Sequence, residues 1–221
     1  VAVASRVLTL VSAQGRIVRG EPLGGWTSTQ FRWHLPGDWL PGLEQPPPAG
    51  DARAELARLW LDRFGPAPAS DLQWWTGWNA GQVRAALARL DTAEADLDGQ
   101  PGIALAGQDE PPAPAAPYAA LLPALDPTPM GWKDRDWFLG GHAAALFDRS
   151  GNIGPTVWWD GRVVGGWAQR GDGEIAFRLL EDAGAEAAAA VAGEAAAVAD
   201  WLGQVRVTPR FRTPLERELA A

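Results

Sequence analysis

Three clusters in this chain hold residues whose chemistry suits a polyanionic, base-bearing ligand. In GNIGPTVWWDGRVVGGW (151 to 167), Trp158, Trp159 and Arg162 bracket Asp160-Gly161. In the segment before it, Lys133 and Arg135 alternate with Asp134 and Asp136 between Trp132 and Trp137. Near the end, Arg206, Arg210, Arg212 and Arg217 crowd around Phe211. Ammonium and guanidinium groups neutralise phosphates, and tryptophan faces stack on bases. Lys133, Arg135, Arg210 and Arg212 are therefore candidate nucleic-acid contacts, and Trp159 with Arg162 would offer an aromatic-plus-arginine surface to a ligand. Each has a structural alternative: burial for the tryptophans, local ion pairs for the charges at 133 to 136, and plain solvation for the tail arginines.

No catalytic constellation accompanies them. The sequence has no Gly-rich phosphate loop, no nucleophile elbow and no helical His/carboxylate pair at ligand spacing, so no catalytic residue is assigned. With no cysteine and only His34 and His142, disulfides and thiolate metal sites are excluded, and neither a metal nor a cofactor is expected.

The 221 residues suffice for one large or two small domains. No apolar run reaches membrane-span length and no leader is evident, so the expectation is a cytoplasmic protein without a membrane partner, acting as a monomer. The net charge of -8 argues against nucleic acid, but the acidity is regional. Residues 91 to 110 hold six acids and no base, residues 172 to 200 seven acids and one base, and the remainder carries 14 acids against 18 bases.

The elements that must position the three clusters follow from periodicity and turn chemistry. Thr156 to Trp159 and Arg162 to Trp167 read as strands joined by a type I′ turn at Asp160-Gly161. That turn pairs Trp159 with Arg162, Trp158 with Val163 and Val157 with Val164, placing Trp159, Arg162, Val157 and Val164 on one face. Gly171-Asp172-Gly173 then turns into Glu174 to Leu179, completing a three-stranded meander. An Ala-rich helix from 183 to 202 follows, with Val191, Ala195, Val198 and Leu202 on its buried stripe.

Upstream, residues 4 to 14 read as a helix already under way, capped by Gly15, which suggests the C-terminal piece of a longer protein. Strands at 16 to 19 and 27 to 33 follow, and residues 36 to 50 read as a linker. Asp51 opens a helix with Leu56, Leu59, Trp60 and Phe64 inward. Ser70 with Gln73, and Asn79 with Gln82, read as capping boxes of two further helices, the second burying Val83, Ala86, Leu87 and Leu90. This is helix-turn-helix spacing, and 92 to 107, turning at Asp98-Gly99, would be its acidic wing. Tyr118 to Leu125 reads as a buried strand after a Pro-rich joint. The fold class is thus α/β (mixed α+β), in three parts: 1–50, the end of a winged-helix unit; 51–108, a winged helix-turn-helix unit; and 109–221, a C-terminal α/β region.

FGPAPASDLQWWTGW (64 to 78), LLPALDPTPMGW (121 to 132) and GNIGPTVWWDGRVVGGW (151 to 167), in that order, resemble the winged helix DNA-binding family that includes the AlkZ-type (YcaQ-like) DNA glycosylases. The resemblance runs from 17 to 218. It implies tandem winged-helix units around a concave surface for double-stranded, damaged DNA, and a bacterial repair protein that excises alkylated or crosslinked bases without a metal. In that family the chemistry is associated with a Gln-x-Gln or Gln-x-Asp motif in the N-terminal part. None of the glutamines here forms one, so no catalytic residue is carried over, and this chain is expected to bind DNA weakly at most and not to excise bases. For the hairpin carrying Trp159 and Arg162, the resemblance implies that the ligand is DNA. The competing expectation is a non-catalytic regulator or protein-interaction module on the same fold.

Overall fold

Apolar residues at helical spacing open the chain, and Val3–Ala13 forms helix α1, closed by Gly15 in the left-handed region at φ 69°. The computed structural model describes residues 3–25, 27–42, 47–108, 115–209 and 211–221. The chain divides into two units, Val1–Ala52 and Arg53–Ala221. In the first, strands β1 (Val18–Pro22) and β2 (Phe31–His34) pair antiparallel with an irregularity between Arg19 and Pro22. Both are displaced from the runs expected at 16 to 19 and 27 to 33. The expected linker is also partly helical: Pro36, whose fixed φ suits a first helical turn, opens α2 (Pro36–Trp39), and α3 (Ala49–Phe64) begins before Asp51. No described residue of the first unit is buried.

The second unit begins within α3. Its inward stripe is Ala54, Ala57, Trp60 and Leu61, not the expected set containing Leu56 and Leu59, both of which are exposed. Two alanines on the stripe let neighbouring helices approach closely, so the stripe turns toward the small residues. Helix α4 (Ala69–Thr76) starts from Pro68 with no side-chain cap, so the box expected at Ser70 does not form. The box at Asn79 does form. Its Oδ1 accepts from Gln82 N at 2.9 Å, Gln82 Oε1 accepts from Asn79 N at 3.0 Å, and α5 (Ala80–Leu87) follows. Val83 and Ala86 join Ala57, Trp60, Leu61 and Leu72 in one core.

Strands β3 (Thr92–Leu97) and β4 (Gln100–Leu105) form the expected hairpin, with Asp98 and Gly99 at φ 52° and 87°. β5 (Ala119–Leu122) is half-buried, because it is the edge of a four-stranded antiparallel sheet ordered β5-β6-β7-β8. The expected three-stranded meander thus gains a strand. Short helices α6 (Pro127–Met130), α7 (Asp136–Leu139) and α8 (Ala143–Leu146) lead into β6 (Thr156–Trp159), β7 (Arg162–Gln169) and β8 (Ile175–Leu179). Helix α9 (Gly184–Leu202) buries Ala187, Val191, Ala195 and Leu202. A further helix, α10 (Pro214–Leu219), opens with a Thr213–Glu216 capping box that the arginine-rich reading of the tail overlooked.

The sheet separates two cores. Val157, Val164 and Ile175 pack with Val191, Ala195 and Leu202 of α9 on one side. Trp158, Val163 and Ala168 pack with Phe138, Leu139, Leu146 and Leu215 on the other. Each fully buried aliphatic side chain is worth roughly 1.5–3 kcal/mol, so a hairpin buried on both faces is firmly held.

Candidate nucleic-acid interface

The hairpin obeys its turn residues at the tip and departs from simple pairing further in. Asp160 and Gly161 stand at φ 46° and 79°, as a type I′ turn needs. Trp159 lies opposite Arg162 and Trp158 opposite Val163, but a bulge then sets Val157 opposite Gly165, not Val164. The division of faces is preserved. Trp159 packs half-buried at the margin of the core shared with α9, and Arg162 at the tip is exposed. Trp158 lies beneath the other face, its Nε1 donating to Thr156 Oγ1 at 2.8 Å, stacked on Phe138 at 5.3 Å and 17°.

That stack joins the hairpin to the segment carrying Lys133 and Arg135. Asp126 caps α6 by accepting from Thr128 N at 2.9 Å. At Gly131 the backbone passes so close to the Phe64 ring that a Cβ there would overlap it. Trp132 then turns its Nε1 onto the Phe64 carbonyl at 2.9 Å and its ring edge-on to Phe64 at 5.1 Å. Trp132 thereby touches both the α3–α5 core and the core beneath the sheet.

From this anchor the charges diverge. Lys133, Asp134 and Asp136 face solvent, while Arg135 turns inward. Its guanidinium lies 5.1 Å from the Trp74 ring and 4.9 Å from that of Phe147, and donates to the Pro129 carbonyl at 3.3 Å. Burial disfavours its charge, and the carboxylates of Asp71 and Asp136 offset part of that. Asp71, on α4, is only 2% exposed, and its Oδ2 has no hydrogen-bond partner. Burial pushes its carboxyl above the usual range and Asp134 adds to this, opposed by the backbone amides of Asp134 and Lys133 and by the Lys133 charge.

Exposed tryptophans lie on the segment that carries Lys133 and on α4. Trp137 is 65% exposed, yet its ring meets Trp132 edge-on at 5.3 Å and Phe138 at 4.8 Å, and its Nε1 donates to the Asp134 carbonyl at 3.2 Å. Trp74 and Trp75 are 40% and 41% exposed, Trp75 lying 6.5 Å from Phe64. Reading the sequence for charge missed Asp71, Trp74 and Trp75. A usable signal was present: adjacent helical residues project about 100° apart, so two consecutive tryptophans in an eight-residue helix cannot both face one core.

The tail is more occupied than its composition suggests. Arg212 lies half-buried, its Nε 3.8 Å from the buried Glu216 carboxylate, whose pKa burial raises. Arg217 donates to the Arg212 carbonyl at 2.7 Å, and Arg206 to those of Gly203, Val205 and Asp172. Arg210 lies outside the described residues. Among the described residues no group of three His, Cys, Asp or Glu side chains is arranged to hold a metal ion, and no helix is long and apolar enough to cross a membrane.

The family model of the AlkZ-like DNA glycosylases matches residues 2–201. The chain belongs to this AlkZ-like family. Its fold is similar to that of Streptomyces sahachiroi DNA glycosylase AlkZ, with a TM-score of 0.77 and 24% identity over 94% of this chain. The match spans 57% of the AlkZ chain. Among curated proteins nothing matches. The mixed α/β class and the family read from the three motifs therefore stand.

Proposed function

We propose that this chain is the DNA-engaging part of a DNA-glycosylase-related repair protein of the bacterial cytoplasm, a monomer that binds double-stranded, damaged DNA and carries no catalytic residue itself. Membership of the AlkZ-like family carries this reading. The direct contacts are the exposed cations Lys133 and Arg162, with Arg210. Arg135 and Arg212 act from behind the surface, holding the segments that present these contacts, and Trp159 seats the hairpin on α9. Helices α3 to α5 with the β3–β4 hairpin supply the parts of a winged helix-turn-helix unit. In the intact protein, excision would be metal-independent and would use groups outside this chain.

Affinity for duplex DNA across a salt series tests the reading. Each phosphate contact removed should flatten the dependence of log K on log salt by about 0.9. Lys133→Glu and Arg162→Glu should both weaken binding and flatten that slope. No detectable binding at very low salt would end the proposal for this chain.

One observation favours a second reading, a protein-interaction module. Glu94 and Asp96 project from the solvent side of β3 beside a groove bordered by Pro68, Ser70 and Pro101, where phosphate would be repelled. On that reading Arg162→Glu leaves the cellular role intact, whereas on the DNA reading it does not.

A further inference from the structure

We infer that the surface formed by Trp74, Trp75 and Trp137 around Lys133 takes an unpaired nucleobase, stacked on Trp137. This rests on DNA being the partner, as proposed above, and adds which part of the DNA this surface receives.

Three observations converge. First, Trp137 is exposed but held in place by its edge-on contacts with Trp132 and Phe138 and by its bond to the Asp134 carbonyl. A ring already fixed loses little rotamer freedom when a ligand stacks on it, so the contact is not offset by ordering. Secondly, the exposed tryptophans are tied together by ring contacts, Trp75 to Phe64, Phe64 to Trp132 and Trp132 to Trp137, with Trp74 lying against Arg135. Three partly exposed tryptophans in one region form a surface of the kind that marks a binding site. Thirdly, the local charge is wrong for a tracked phosphate backbone. Lys133 is an exposed cation between the exposed carboxylates of Asp134 and Asp136. Those carboxylates repel phosphates but accept hydrogen bonds from exocyclic amino groups such as that of cytosine. Lys133 then meets one phosphate while the ring meets a base. A paired base inside a duplex offers no face to such a platform, so the ligand must be unpaired or displaced from the stack.

The test uses the full chain with labelled oligonucleotides of about 12 nucleotides: a single-stranded oligocytidine, an abasic strand of equal length, and a duplex. The unmodified protein should bind oligocytidine about 10-fold more tightly than the abasic strand. Trp137→Ala should erase that difference without changing abasic affinity, Trp137→Phe should restore much of it, and Lys133→Ala should weaken both strands alike. Equal binding of base-bearing and abasic strands by the unmodified protein, or an equal loss on both with Trp137→Ala, overturns the inference while leaving DNA as partner. Binding to duplex with no single-strand preference does the same. No binding to any of the three overturns both readings, and would leave an apolar protein partner as the occupant of the surface.

Discussion

Asp71 and Arg135 show how the charges of the 131–139 segment divide into those that hold it and those that it presents. Arg135 lies against two rings and caps a carbonyl, whereas Lys133 reaches solvent. Arg135→Ala should therefore cost about 2 kcal/mol of stability through lost cation–π and hydrogen-bond contacts. Lys133→Ala should stay within about 0.5 kcal/mol of the parent. Urea denaturation of the two variants checks this, and equal effects would show that Arg135 is not a structural tie. Asp71 has the opposite sign. Because burial raises its pKa in the folded state, the folded chain binds its proton more tightly than the unfolded chain does. Its contribution is fully present below the unfolded pKa and is lost as pH rises through the folded one. Burial thus penalises the ionised form of Asp71, a penalty that the uncharged Asn does not carry. Asp71→Asn should stabilise by about 1 kcal/mol at neutral pH and by less at pH 4. A variant less stable than the parent at pH 7 would mean that the carboxylate is properly satisfied. Charge and aromatic content marked this segment in the sequence, but which cation turned inward depended on Trp74 and Phe147, from distant parts of the chain.

The β6–β7 hairpin was read correctly at its tip, where Asp160-Gly161 specifies the turn through local backbone preference alone. The register beyond it was not, since the bulge that sets Val157 opposite Gly165 follows from packing. A Cβ at Gly165 would overlap the Arg178 carbonyl of β8, so the strand bends where its neighbour comes closest. Nothing in the hairpin's own residues announces that approach. The two glycines should consequently respond differently to alanine. Gly161 has positive φ and open space around it, so Gly161→Ala carries only the backbone cost of about 1 kcal/mol. Gly165→Ala forces β7 and β8 apart and should cost about 3 kcal/mol. Thermal melts that rank Gly161→Ala as the worse substitution would contradict this account of the bulge. The same distinction explains α3: its helical period was evident, but the stripe was placed on the larger leucines, whereas close packing turns Ala54 and Ala57 inward.

Across the whole chain, buried material is distributed unevenly between the two units. Among the described residues the three hydrophobic clusters fall within Arg53–Ala221, and none of those in Val1–Ala52 is buried. The amphipathic pattern of α1 specifies a helix, but periodicity cannot say whether an apolar face is covered, and Val3, Val7 and Leu10 are exposed. The β1–β2 pair is a two-stranded sheet held by its own ladder and by local contacts such as His34 stacked on Trp39 at 4.4 Å. Isolated two-stranded sheets are marginal in water, whereas a sheet buried on both faces opens only with the unit it belongs to. Native-state hydrogen exchange on the full chain should therefore show fast, nearly denaturant-independent exchange for the amides of Val18, Arg19 and His34. Exchange at Val157, Val163 and Val164 should be limited by global unfolding of the second unit. If β1 and β2 were protected to the same free energy as β6 and β7, the first unit would be drawing on a core as substantial as that of the second, and the division of stability between the two units would be wrong.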